Sequence, residues 1–138
     1  MLFRSALGFG GAPFTGKTEQ WNGTAWSEQN DLSTGRNYLS GCGTTTSALA
    51  FAGEPGPGAS PTTATEEWSA DIPVLSWSTS GNLNTARALA AGAGTQTAGI
   101  AFGGTKHPST ASAETELYDG SSWTEVNDLN TARGELKG

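Results

Sequence analysis

Three arginines close the same hexapeptide: Arg36 ends DLSTGR, Arg87 ends NLNTAR and Arg133 ends DLNTAR. A ring of guanidinium groups, one per copy, could clamp an acidic ligand through paired N–H donors. Each copy also carries a Thr-Glu pair, so Glu19, Glu66 and Glu116 supply one carboxylate apiece. One Arg and one Glu per copy also fits a structural ion pair, or an Arg–carbonyl contact that ties neighbouring strands together. A buried charge needs a partner, and a structural role demands the pair in every copy. The structural reading is the expectation, with Arg36 and Arg87 buried against carbonyls or a repeat glutamate.

Other residues invite chemistry less strongly. Trp26, Trp77 and Trp123 recur once per copy and could stack on sugar rings. Their fixed place points instead to packing between units, each burying a large apolar area. Trp77, beside an inserted stretch, is expected to be the most exposed. Cys42 aligns with Ala93 and reads as a small interior residue, with no base near it in sequence. The single histidine, His107, lies in TKHPSTASA, with no Cys or second His to complete a zinc site. The stretch GAGTQTAG (Gly92 to Gly99) lacks the strand-to-helix setting of a phosphate loop and reads as a turn. Asn22-Gly23-Thr24 matches a glycosylation acceptor but doubles as a hairpin turn. No Ser/His/Asp set, carboxylate pair or metal cluster recurs, so no catalytic residue, metal or cofactor is expected.

The elements that position these residues are written into a repeat. Each copy starts with an apolar strand ending in glycine: ALGFGG (Ala6 to Gly11), ALAFAG (Ala48 to Gly53) and GIAFGG (Gly99 to Gly104). A variable loop follows, then TEQW, TEEW or TELY, then the second aromatic, then the hexapeptide. After Arg36 and Arg87 come small-residue stretches ending SGCG and AGAG. The period is about 50 residues, which marks an array of supersecondary units. Each unit reads as four short antiparallel strands. Asn22-Gly23 and Asp119-Gly120 suit type I′ hairpins, while the second copy inserts SADIPVLS and predicts a longer hairpin end. Leu49 and Phe51 alternate with Ala48, Ala50 and Ala52, so the bulky face of one sheet can meet the small face of the next. The small strand is expected innermost, where converging strands crowd.

Composition agrees with an all-β chain. Charged residues are only 14% of 138, and the chain holds 20 glycines; abundant Gly and Thr favour turns and pleated strands. A net charge of −6 gives no basic footprint for nucleic acid. No apolar run approaches the roughly 20 residues of a membrane-spanning helix. The one cysteine leaves the redox compartment open.

Glycine after an apolar strand, then an aromatic, then tryptophan, at this period, resembles the kelch repeat of β-propellers. The second copy departs from the pattern with Ala52-Gly53 in place of the glycine pair. The resemblance implies kelch-like propeller blades as four-stranded meanders, about three of them, at residues 6–35, 36–86 and 87–131, with a further blade starting at 132–138. The opening MLFRS (1–5) fits no repeat position and reads as a leader translated from a sequencing adapter, and 6–138 as one segment of a larger propeller. The Thr-, Asn- and Gly-rich wording is also similar to kelch-like repeats of environmental phage virion and tail-associated proteins, which implies a virion or extracellular surface.

On this reading the chain is a non-enzymatic module that binds a protein or glycan through its variable loops. Those loops are 12–17, 54–64 and 105–113, sharing a rim with the hexapeptide links; Phe14, Lys17, Lys106 and His107 are the residues expected to touch a partner. Two alternatives stay open: a segment of a galactose-oxidase-like carbohydrate-active enzyme, and a pure spacer. The first would need tyrosine and histidine ligands, for which only Tyr38, Tyr118 and His107 are present. Three units leave two faces uncovered, which predicts either head-to-tail pairing of copies or instability. Instability is the expectation from sequence, because nothing in the residues alone shows that the end faces match.

Overall fold

The structure, a computed structural model, describes residues 5–70 and 75–135. Most of MLFRS, the centre of SADIPVLS and the last three residues lie outside that range, and so do the leader and the longer hairpin end expected there. Among the described residues every regular element is a strand. The first sheet runs β1 (Ala6–Phe9), β2 (Thr18–Trp21), β3 (Trp26–Glu28). The second runs β4 (Ser40–Gly43), β5 (Ser47–Phe51), β6 (Thr65–Ser69), β7 (Ser76–Thr79). The third runs β8 (Ala91–Thr95), β9 (Ala98–Phe102), β12 (Thr115–Tyr118), β13 (Trp123–Val126), with a two-stranded hairpin, β10 (Thr105–Lys106) and β11 (Thr110–Ala111), emerging between β9 and β12. All pairings are antiparallel between neighbours.

Register follows the repeat. Gly41 stands opposite Ala50 in the second sheet, and Gly92 opposite Ala101 in the third. Trp68 opposes Trp77, Trp21 opposes Trp26, and Tyr118 opposes Trp123. Each cross-strand aromatic couple is in ring contact, with centroids 5.5, 5.7 and 5.1 Å apart. Such couples contribute about 0.5–1.5 kcal/mol beyond their burial.

The sheets pack through one repeated contact. Phe9 of the first sheet meets Trp77 of the second edge-on at 4.9 Å, and Phe51 of the second meets Trp123 of the third at 5.1 Å. The core between the second and third sheets gathers Leu49, Phe51, Ala52, Leu83, Ala101, Tyr118 and Trp123. This contact gives the small strands a sharper reason than crowding at an axis. A Cβ at Gly41 would lie 2.5 Å from the Phe9 ring, and one at Gly92 would lie 2.5 Å from the Phe51 ring. Each small strand is the seat for the preceding sheet's phenylalanine.

The hairpin ends differ from the type I′ expectation. Only Gly23 and Gly120 take positive φ, at 99° and 98°, and Asn22 and Asp119 do not. The Asn22 carboxamide oxygen accepts from the Thr24 and Ala25 amides at 2.9 and 3.0 Å, and the Asp119 carboxylate accepts from Ser121 and Ser122, both at 2.9 Å. The side chain caps the turn, so a four-residue loop forms in place of a two-residue one. The amides of Ser122 and Ser121 also hold the Asp119 carboxyl below its ordinary pKa.

Candidate functional site

The ion pairs form between copies. Arg36, in the link after the first sheet, donates from Nη2 to Glu66 of the second sheet at 2.9 Å. Its Nη1 donates to the carbonyls of Ala52 and Ala64 at 3.0 and 2.8 Å. Arg87 repeats this one unit on, with Nη2 2.6 Å from Glu116 and Nη1 2.8 Å from the Glu114 carbonyl. Both arginines are buried, and Glu66 and Glu116 with them. Burial holds the Arg36 guanidinium below the ordinary arginine value against the pull of Glu66. The Nε of each arginine is buried without a partner among the described residues.

The carboxylates also cap the preceding link. Glu66 accepts the Ser33 amide at 2.8 Å, and Glu116 accepts the Asn84 amide at 2.7 Å. Beside each ion pair a tryptophan donates backwards: Trp77 Nε1 to Thr18 Oγ1 at 2.9 Å, and Trp123 Nε1 to Thr65 Oγ1 at 3.0 Å. Leu32 and Leu83, the hydrophobic residues of the first two links, are buried in the same seams. One junction therefore comprises Phe, Thr, Leu and Arg from the earlier unit, and Glu and Trp from the later.

The third set stands apart. Glu19 and Arg133 are exposed and Leu129 is half-buried. Trp26 is 53% exposed. This corrects the expectation that Trp77 would be the exposed tryptophan: Trp77 is half-buried against Phe9, whereas no described sheet precedes Trp26.

The variable loops do share a rim with the links. Loop 12–17 is tied to the first link by Leu32 N to Gly16 O at 2.9 Å and Arg36 N to Thr15 O at 3.1 Å. Loop 54–64 is tied to the second by Leu83 N to Thr63 O at 2.9 Å, and loop 105–113 to the third by Leu129 N to Ala113 O at 2.9 Å. Phe14 is half-buried at φ 75°, and His107 is exposed. Lys17 pairs with Glu28, which raises its pKa above the ordinary lysine value. Lys106 pairs with Glu114. Burial pushes the Glu114 carboxyl up, but the hydrogen bonds from Lys106 and Ser112 outweigh it and leave it below the usual range. Phe14 and Lys17 thus sit on one loop and Lys106 and His107 on another.

Other residues with reactive groups are placed as follows. Tyr118 donates to Glu67 and contacts the Ser80 hydroxyl; burial, then the Glu67 bond, pushes its phenol up to about 12. Tyr38 is exposed, at φ 54°. Among the described residues no three His, Cys, Asp or Glu side chains gather as metal ligands. Cys42 is half-buried at the core margin, and burial pushes its thiol up to about 11. It lines a groove of about 630 Å³ between β4 and the free edge of β1, the side on which β5 and β9 carry β4 and β8.

Sequence reasoning missed Glu114, Glu67 and the Ser33 and Asn84 amides. Glu114 matches Lys17 and Ala64 in the repeat, and it meets Arg87 through its carbonyl at 2.8 Å and its carboxylate at 3.9 Å; the carbonyl contact is one that no side-chain pattern reveals.

No family model matches the chain, and no curated protein matches it. Among solved structures it is similar to one described as "Structure of YjhT", with a TM-score of 0.73 at 15% identity. The match covers 87% of this chain and 41% of that one, so the chain spans under half the length of the structure it resembles. The likeness is one of fold. Fold and junctions together define an all-β protein of serially repeated antiparallel sheets.

Proposed function

We propose that the chain is a non-enzymatic interaction module of kelch-like propeller blades, displaying its variable loops to a protein or glycan partner as part of a phage virion, tail or other surface protein. The observation that carries this reading is the rim. Three loops of different length and wording are each pinned by backbone hydrogen bonds to a repeated link. A rigid repeat that holds variable loops is how scaffolds build recognition surfaces. The repeated charged and aromatic residues at the two internal seams are engaged in joining sheets, which leaves contact to Phe14, Lys17, Lys106 and His107 on the rim.

The test is binding of the full chain to an array of immobilised bacterial-surface oligosaccharides and to immobilised bacterial envelope proteins. The variant carrying Phe14→Ala, Lys17→Ala, Lys106→Ala and His107→Ala should keep its thermal midpoint within a few degrees and lose at least tenfold in retention. Equal retention by the variant, or retention by neither surface, counts against the reading.

A further inference from the structure

We propose that Asn22 is a modification site: its side-chain amide is lost through attack by the Gly23 nitrogen, leaving aspartate or isoaspartate at the tip of the β2–β3 hairpin. The tip lies at the far end of β2 from the rim, so the proposal is independent of what the rim loops bind.

Three features of the tip carry this. Gly23 has no side chain to shield its nitrogen, and among the described residues its N–H makes no hydrogen bond. Asn22 is exposed, and its Nδ2, the leaving group, is likewise unbonded among the described residues. Its Oδ1 accepts from the Thr24 and Ala25 amides at 2.9 and 3.0 Å. That oxygen takes up negative charge when Cγ is attacked, and N–H groups already aimed at it lower the barrier. No other asparagine in the chain is followed by glycine.

The chemistry needs only water and hydroxide. Hydroxide takes the Gly23 amide proton, and the nitrogen's electron pair forms a bond to Asn22 Cγ. The Cγ–Nδ2 bond then breaks, and Nδ2 takes a proton from water and leaves as ammonia, closing a five-membered succinimide. Water opens the ring at either carbonyl. Cleavage at Cγ gives aspartate on an unchanged main chain. Cleavage at the backbone carbonyl carbon gives isoaspartate, which lengthens the main chain by one carbon. In sum, an amide and water become a carboxylate and ammonium.

The fold already holds the aspartate product. Asp119-Gly120 stands in the third unit where Asn22-Gly23 stands in the first, and its carboxylate accepts from Ser121 and Ser122, both at 2.9 Å. Gly120 takes φ 98° against 99° at Gly23, and Tyr118 and Trp123 pair across the tip as Trp21 and Trp26 do. That turn also shows that exposure of the tip does not depend on where the chain begins. The second unit is seated against it, since a Cβ at Gly81 would lie 2.1 Å from the Ser121 carbonyl oxygen, and Asp119 is still exposed. Asp119 itself is guarded from the same ring closure. The Ser122 and Ser121 amides hold its carboxyl below the ordinary value, and an ionised carboxylate resists attack by nitrogen. Isoaspartate has no such precedent. Its extra main-chain carbon draws the carboxylate off the Thr24 and Ala25 amides and disturbs the Trp21–Trp26 contact of 5.7 Å.

Ageing the full chain in mildly alkaline buffer, followed by peptide mapping with mass spectrometry, tests this. Ammonia release should match conversion of the Asn22 peptide mole for mole. Asn22 should convert at least tenfold faster than any other asparagine, with no isoaspartate at Asp119. Asn22→Gln, whose longer side chain would have to close a six-membered ring, should release ammonia at least tenfold more slowly. Asn22→Asp should match wild type in near-ultraviolet circular dichroism and thermal midpoint. The isoaspartate fraction separated from aged chain should melt lower, with red-shifted tryptophan emission. Ageing in urea shows what the fold permits: the folded chain should convert at no less than a tenth of the unfolded rate. Conversion only in urea, or conversion spread over the other asparagines, overturns the proposal. So does an Asn22→Asp chain that loses the wild-type dichroism.

Discussion

At the scale of single residues, the fold is governed by two guanidinium groups that each cross from one sheet to the next. Removing one leaves a carboxylate in a dry seam. Arg87→Ala strands Glu116, and breaking a buried pair from one side costs about 3–5 kcal/mol. Urea titration should show a loss of that size for Arg87→Ala and less than about 0.5 kcal/mol for exposed Arg133→Ala. A second prediction rests on Tyr118, whose phenol is pushed up to about 12. Unfolded tyrosine titrates near 10, so the unfolded chain gives up this proton first. The stabilisation is complete below pH about 10 and is lost as pH rises through about 12. Tyr118→Phe should flatten that alkaline decline in urea melts. Unchanged slopes would show that burial and the Glu67 contact do not hold the phenol protonated. The arginines were legible in the sequence because their recurrence is strict. Their partners were not, because Arg36 joins Glu66 of the following unit although Glu19 belongs to its own, and spacing alone does not choose between them.

At the scale of elements, strand order could be read from the repeat because each unit alternates apolar strand, loop, aromatic strand and link. The hairpin ends were less legible. Asn-Gly and Asp-Gly suggest a two-residue loop, but the side chains of Asn22 and Asp119 compete for the amides two and three residues on, which favours a four-residue loop. The small strands were visible as small, but the cause is Phe9 or Phe51 arriving from another sheet, which no local pattern encodes. That cause is testable. Gly92→Val would drive side-chain atoms into the Phe51 ring and should cost about 1–3 kcal/mol by overpacking. Phe51→Leu in the same chain should return part of the loss, because it vacates the space that valine takes. A double variant whose loss equals the sum of the two single losses would show that the residues do not share that space.

At the scale of the whole molecule, successive sheets are joined by a single repeated junction, filled twice among the described residues. The repeat announced the array, but not which residues meet between its sheets, since that depends on the three-dimensional placement of Arg36, Glu66 and Trp77. Hydrogen exchange at the link amides reads the junction most directly. The Ser33 and Asn84 amides donate to Glu66 and Glu116, and Asn130 holds the same place in the third link. In dilute solution Ser33 and Asn84 should exchange slowly and at similar rates, with Asn130 at least a hundredfold faster. Ser33 and Asn84 exchanging as fast as Asn130 in the dilute folded chain would contradict the claim that these junctions hold the sheets together.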